Sequence, residues 1–316
     1  MPRGPALVGA DEHTCSGLVV AAVLDSEVAG VAEWVGGARP RTLPAALAPV
    51  LAGSGAAALI DAFAAVPAVL ALVVALGLQV GVNYANDYSD GIRGADDLRV
   101  GPTRLVGSGA ATPSAVRTAA GAAASVAVVA GTTLAALTSW WLLVLGAAAI
   151  AAAWGYTGTS HPYGYAGLGE VSCFCFFGLL AVCGTTYVQA GRVTGVSVLA
   201  AVGVGALACA LLVVNNLRDA PTDEQVGKRT LAVRLGDPRT RALYAALNMV
   251  ALGVLLALVA VTPWVLLGLV ALPLQLRATW TVLIGGRGQA LASVLRDTGL
   301  AELAWAVGLT LGLLLA

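Results

Sequence analysis

Nine apolar stretches recur along the chain, at about residues 43–60, 66–86, 114–137, 140–157, 168–189, 193–214, 240–261, 263–284 and 299–316. Each is close to the ~20 residues that cross a bilayer as helix, and nothing else in the sequence constrains the fold as strongly. In lipid a backbone amide has no water to bond to, so a spanning segment is either a helix or a strand of a closed barrel. These runs are rich in Ala, Leu and Val without alternation, and nine is an odd number; both features disfavour a barrel. The predicted fold class is all-α: a polytopic membrane protein with nine transmembrane helices bundled around a central cavity. Charged residues make up 11% of the chain, against roughly 25% in soluble domains, which excludes a water-soluble globule.

Seventeen Lys and Arg balance seventeen Asp and Glu, so the basic excess that marks a nucleic-acid partner is absent. The placement of the cations carries more information than their number. Only Arg192 falls on the side holding the 61–65, 138–139, 190–192 and 262 connections, and the other sixteen lie opposite. By the positive-inside rule the crowded side is cytoplasmic, with the N-terminus inside, in a multi-pass protein of the plasma membrane. Trp140, Trp141 and Trp264 begin spans at the outer boundary, where interfacial aromatics belong. The five cysteines lack metal-ligand spacing and four sit in apolar runs, which predicts neither disulfides nor a zinc site. Residues 1–30, with one short apolar run from Gly17 to Leu24 among acidic residues, read as a poorly ordered cytoplasmic extension. The transmembrane domain is expected over 31–316.

The second and sixth runs end in the most polar strings of the chain, and each opens onto a cytoplasmic connection of more than twenty residues, 91–113 and 217–239. Connections this long in a compact bundle are usually functional or disordered. Gln79, Asn83, Asp87 and Asp90 are spaced i, i+4, i+8, i+11, one face of a helix, and acids continue to Asp96 and Asp97. Asn215, Asp219 and Asp223 repeat the i, i+4, i+8 spacing, with Pro221 expected to bend or end that helix. Acids at a helix C-terminus oppose its dipole, and an unpaired Asp near the membrane costs up to about 2.5–3.5 kcal/mol on insertion scales. Cations are therefore expected to compensate them. Oxygen ligands without His or Cys suit Mg²⁺, which keeps waters and takes one or two carboxylates plus substrate phosphates. The implied substrate is a diphosphate.

Arg93, Arg99 and Arg104 follow the first cluster, Lys228 and Arg229 follow the second, and Arg39 and Arg41 stand where the first span enters the bilayer. Any one of these could serve only the positive-inside bias. Lys228 stands out as the single lysine, because an ammonium point charge is a common phosphate partner.

Asn86 to Asp90 (NDYSD), Asn215 to Asp223 (NNLRDAPTD), nine spans and Gly37 to Pro44 (GARPRTLP) together resemble the UbiA superfamily of intramembrane aromatic prenyltransferases. The resemblance extends through Val106–Gly109, Tyr156–Gly158, Pro162–Val171, Phe176–Gly178 and Gly227–Gly236, and covers about 31–316. It is greatest to the menaquinone-pathway branch. What it implies is two Asp-rich motifs at the cytoplasmic mouth of the cavity, binding Mg²⁺ and a polyprenyl diphosphate. Carried over residue by residue, Asp87, Asp90, Asp219 and Asp223 hold metal with Asp96 auxiliary. Asn83, Asn86 and Asn215 assist substrate binding with Arg39, Arg41, Arg93 and Arg229. Lys228 and Arg104 stabilise the leaving diphosphate, and Tyr156 faces the allylic cation. The acceptor implied is 1,4-dihydroxy-2-naphthoate, prenylated with loss of its carboxylate to give demethylmenaquinone. Where related sequences often carry a basic residue after Tyr156, this chain has Thr159, Ser160 and His161, and His161 is a candidate contact for a substrate carboxylate. Glu170 is a candidate for orienting a substrate hydroxyl. A sister enzyme using 4-hydroxybenzoate, homogentisate or a sugar diphosphate fits nearly as well. A cation-coupled transporter fits worse, since its ion sites lie near the midplane and these acids crowd one face; a scaffold would have no use for two matched acidic motifs.

Overall fold

A computed structural model of the protein describes residues 29–93, 104–159 and 162–316. Asp96, Asp97, Arg99, Ser160, His161 and nearly all of the N-terminal extension lie outside the described residues. The described chain is helical, in eleven segments: α1 Val31–Gly37, α2 Pro44–Ala58, α3 Ala65–Ile92, α4 Pro113–Leu137, α5 Leu142–Thr157, α6 Gly169–Ala190, α7 Gly195–Gln225, α8 Leu231–Leu235, α9 Asp237–Leu258, α10 Pro263–Leu283 and α11 Gln289–Leu314. Nine of them stand where the nine apolar runs predicted helices. Seven are long and apolar enough to cross a membrane, while α2 and α5, at 15 and 16 residues, are shorter apolar helices. At 1.5 Å per residue those two reach only about 22–24 Å, less than the ~30 Å hydrocarbon core.

Helix length also places the polar strings. The 28 residues of α3 and the 31 of α7 correspond to about 42 and 46 Å, well beyond the ~30 Å core, so their last turns project from it. Those turns carry the two acidic motifs. The expected break at Pro221 does not occur: α7 runs through it to Gln225, and the supposed loop 217–239 is helix up to that point and again in α8. Pro221 is exposed near the helix end, one turn after the buried Leu217 whose carbonyl it leaves without an amide partner. α11 likewise begins ten residues earlier than the apolar run at 299, because Asp297 is neutralised by Arg277 (3.5 Å) and Arg296 (2.9 Å).

α7 sits centrally, packed against α2, α6, α9 and α11. Small residues let these helices approach closely, as membrane bundles require. A Cβ on Gly178 of α6 would strike the backbone of Gly205 on α7, and Cβ atoms on Gly308 and Gly312 would strike the backbone of the first half of α10. Trp305, fully buried on α11, donates its indole N–H to the Ala251 carbonyl at 3.3 Å. Glu302, one turn away, is also fully buried, and neither of its carboxylate oxygens bonds to a described residue. Trp140, Trp141 and Trp264 are exposed at span starts, as expected of interfacial residues.

Arg241 joins α9 to the end of α10. Its guanidinium donates to both Asp237 oxygens (2.6 and 2.8 Å), to the Val282 carbonyl, which also accepts the Gly285 amide at 3.2 Å, and to the Gly286 carbonyl (3.1 Å). Arg241→Met should destabilise the protein by about 1–2 kcal/mol through the loss of these charge-assisted hydrogen bonds between α9 and the end of α10. A lower midpoint in a thermal melt of detergent-solubilised protein would show it; an unchanged midpoint would rule the clamp out.

Candidate active site

The first motif divides its labour. Asp87 is almost completely buried, and its oxygens accept the backbone amides of Leu105 and Val106, each at 3.0 Å. It thereby fastens the returning end of the 91–113 connection onto α3, with Leu105 packed beside Gly37 and Val106 beside Gly91. The family resemblance implies Asp87 as a metal ligand; here each of its oxygens accepts a backbone amide, which supports a positioning role for it. What Asp87 positions is Arg104, whose Nη2 lies 3.5 Å from Asp90 Oδ2 with both side chains largely buried. Asp90 is thus the carboxylate of this motif paired with a side-chain cation.

Asn83 is engaged within the chain. Its amide donates to the Ala38 carbonyl (2.9 Å) and to Thr42 Oγ1 (3.1 Å), and Gln79 Nε2 reaches the same hydroxyl at 3.0 Å. The buried stripe on α3 therefore holds the segment before α2. That segment needs holding: Arg39 has φ +53°, a left-handed conformation uncommon for a residue with a Cβ. Arg39 is partly buried there, whereas Arg41 is exposed, with its carbonyl against Gly299 of α11. Asn86 lies half-buried beside Asp87.

On α7, unbroken helix keeps Asn215, Asp219 and Asp223 on one face. Arg218 binds Asp219 with two bonds, Nε to Oδ1 at 2.7 Å and Nη2 to Oδ2 at 2.9 Å, and Nη2 also reaches Asn215 Oδ1 at 2.9 Å. Lys228 Nζ stands 3.3 Å from Asp223 Oδ1. Among the described residues, Asp90, Asp219 and Asp223 thus each have a cation against them, which is the compensation that acids in this position require.

The two motifs meet at a residue that the motif spacing does not reveal. Tyr165, in a short 3₁₀ turn between α5 and α6, has Lys228 Nζ 5.3 Å from its ring centre and the Arg93 guanidinium 6.0 Å away, both within cation–π range. The turn is itself anchored, since Arg229 donates its backbone N–H to the Tyr165 carbonyl at 3.0 Å and Arg93 Nη2 donates to the Thr159 carbonyl at 3.0 Å. The Arg229 side chain is exposed, so its contribution here comes from the backbone. A cation from the end of each acidic helix therefore shares one aromatic ring. Lys228→Met, which keeps length and removes charge, should raise the KM for a diphosphate substrate at least tenfold; an unchanged KM would remove Lys228 from the site.

Below the mouth, Tyr156 lies half-buried on α5, edge-on to Tyr163 with ring centres 5.6 Å apart. Tyr163 donates to the Ala152 carbonyl at 2.7 Å and lies 2.9 Å from Ser172 Oγ; burial pushes its phenol above the ordinary range, so it remains a neutral donor. Glu170, buried at the start of α6, accepts the Asn216 amide on Oε1 at 3.0 Å. Arg218 and Tyr165 are the residues that sequence reading missed. Side chains at i and i+1 do not normally face each other on a helix, and a tyrosine in a connection carries no spacing signal.

Among the described residues no three His, Cys, Asp or Glu side chains converge to cage a metal. The acids form two separate groups, all oxygen donors at helix ends. That suits a Mg²⁺ ion, which takes one or two carboxylates and completes its sphere with water and phosphate oxygens, and it does not suit zinc or copper.

An all-helical membrane bundle with two acid-and-cation groups at the ends of its longest helices defines a class, the intramembrane enzymes that act on diphosphates. Residues 46–306 match the UbiA prenyltransferase family, and the chain belongs to it. It is similar to the 1,4-dihydroxy-2-naphthoate octaprenyltransferase of Mycobacterium tuberculosis, 57% identical over 280 residues that span 89% of this chain and 96% of that one. A protein of the same name from Mycobacterium leprae is 57% identical over 92% of this chain and 98% of its own. Among solved structures, a UbiA homolog from Archaeoglobus fulgidus bound to GPP and Mg²⁺ superposes with a TM-score of 0.63, at 15% identity, over 90% of this chain and all of that one. At that identity the likeness establishes the fold.

Proposed function

We propose that the protein transfers a polyprenyl group from its diphosphate to 1,4-dihydroxy-2-naphthoate, releasing diphosphate and the ring carboxylate as CO₂ to give the hydroquinone form of demethylmenaquinone in menaquinone biosynthesis. The relatives that match over nearly their whole length bear that activity in their names. The observation that carries the reading is the Tyr165 junction, which draws Arg93 and Lys228 from the two acidic helices to one place.

Asp90, Asp219 and Asp223 are the carboxylates that would hold Mg²⁺, and Asn86 and Asn215 stand beside them. When bound, the metal would neutralise the developing charge of the leaving diphosphate. Lys228, Arg104 and Arg218 are released from their carboxylates as the donor arrives and add fixed positive charge where negative charge develops. Asp87, Gln79 and Asn83 keep the flanking segments, and hence Arg104 and Arg39, in place. The half-buried aromatic pair Tyr156 and Tyr163 screens the allylic cation from water and offers it a π face. The donor's apolar tail is accommodated among the spans, and the cation distribution supports a site at the cytoplasmic face of the plasma membrane.

The test uses purified protein in detergent with labelled polyprenyl diphosphate, Mg²⁺ or EDTA, and either 1,4-dihydroxy-2-naphthoate or 4-hydroxybenzoate. Metal-dependent product from the naphthoate alone is the expected result. Product from the benzoate alone would keep the chemistry and move the protein to another pathway, and absence of diphosphate release with either acceptor would refute the reading.

A further inference from the structure

A charged side chain on the lipid face of a membrane span is costly, and α10 carries one. Arg277 is 66% exposed on a helix long and apolar enough to cross a membrane. Three exposed apolar residues, Trp280, Leu283 and Ile284, follow it before the turn into α11. At 1.5 Å per residue, Leu283 closes the helix about 9 Å beyond Arg277. Arg277 therefore lies inward of Trp280, an exposed aromatic of the kind that sits at headgroup level. A guanidinium at this depth needs a counter-charge, and its long stem lets it reach one by snorkelling.

The counter-charge within the protein is insufficient. Asp297 of α11, only 4% exposed, has Arg277 Nε 3.5 Å from Oδ2 and Arg296 Nη2 2.9 Å from Oδ1. Two guanidinium groups share one carboxylate, which leaves one positive charge in excess. Arg296 is itself 54% exposed, and Arg287 in the turn between the helices is exposed as well. The firmer bond to Asp297 belongs to Arg296, so the Nη donors of Arg277 are available to an acceptor outside the protein. Arg241 fixes the turn through the Val282 and Gly286 carbonyls, so the spacing of Arg277 and Arg296 is not left to a loop.

The surface around this charge is apolar. Leu276 of α10 and Leu300 of α11 are exposed on the side away from the turn, and Trp280 on the side toward it. A soluble anion or an acidic peptide would satisfy the arginines and leave these side chains uncovered. A molecule that joins a phosphate to long acyl chains covers both.

We propose that the outer face of the α10–α11 pair binds an anionic phospholipid, its phosphate held between Arg277 and Arg296 and its acyl chains lying along Leu276 and Leu300. Asp297, behind the pair, holds both guanidinium groups without cancelling their charge. Basic pockets between spans are a recurrent form of lipid headgroup site. This one would exist whatever acceptor the protein prenylates.

The test titrates the full chain, purified in detergent, with dioleoylphosphatidylglycerol or dioleoylphosphatidylcholine and reads bound lipid by native mass spectrometry. Wild type should bind the anionic lipid about tenfold or more tightly than the zwitterionic one, the scale set by two cations near a membrane surface. Arg277→Gln removes the excess charge and leaves Arg296 paired with Asp297, so the buried acid stays neutralised; the preference should fall to within about twofold. Asp297→Asn raises the excess to two charges and should keep or strengthen the preference, which loss of a merely structural ion pair would not do. Arg117→Gln, at an exposed cation near the start of α4, should change nothing. An unchanged preference in Arg277→Gln would overturn the proposal, and so would an equal loss in Arg117→Gln, which would reduce the effect to general surface charge. Displacement of the lipid by excess inorganic phosphate would assign the arginines to a free anion and overturn it as well.

Discussion

Asp219→Ala should reduce prenyl transfer by about 10³-fold or more, the largest loss expected from any single substitution, while the protein still inserts and folds. Asp219 lies at the projecting end of α7 and is the best-placed carboxylate of its motif, held by two bonds from Arg218. The substitution also leaves a guanidinium that is only 9% exposed without its carboxylate, a change that costs about 3–5 kcal/mol when the pair is fully buried and less here, near water. Two controls separate the effects. Asp219→Asn keeps the volume and one accepting oxygen, and Arg218→Leu combined with Asp219→Leu removes the charge imbalance altogether. Both should melt near wild type and remain inactive. Activity restored in the double variant would mean that Asp219 serves only to neutralise Arg218.

Asp87→Leu should lower turnover by about 10²-fold by a different route. Two backbone amides, of Leu105 and Val106, would lose their acceptor inside the protein, at about 1–3 kcal/mol each. The segment carrying Arg104 would then detach from α3, and Arg104 would leave Asp90. Limited proteolysis should find new cleavage near residues 104–111 in this variant, and Asp87→Asn, which retains one acceptor, should show less of both effects. The half-saturating Mg²⁺ concentration discriminates between the two roles. It should stay near wild type if Asp87 acts through the backbone; a large rise without new proteolysis would return Asp87 to the metal.

The comparison of these two aspartates shows how far the sequence reaches. Both were legible as members of an Asn/Asp motif on one helical face, and nothing in the spacing distinguished them. What separates them is which chain segment returns against α3 after the 91–113 connection, a long-range contact that no local period encodes. Asn83 shows the same: its i, i+4 relation to Asp87 is legible, but its partners Ala38 and Thr42, more than forty residues earlier in the chain, are not. At Pro221 the helix does not end but runs on to Gln225, because contacts with neighbouring helices outweigh the local cost of one missing backbone bond.

Sequence alone determined that this chain lives in lipid as a helical bundle, where the helices fall, which side holds the cations, and that two acidic strings must lie at that side. These follow from local quantities: the apolar run length set by bilayer thickness and the cost of placing charge in hydrocarbon. Tertiary structure alone decided which acid faces Arg218, which faces Lys228 and which holds backbone, that Tyr165 joins Arg93 to Lys228, and that Glu170 accepts the Asn216 amide. Those outcomes depend on segments far apart in sequence arriving at one place. The contacts are made by small residues packing helix against helix, and an Ala- and Gly-rich sequence does not specify which helices will touch.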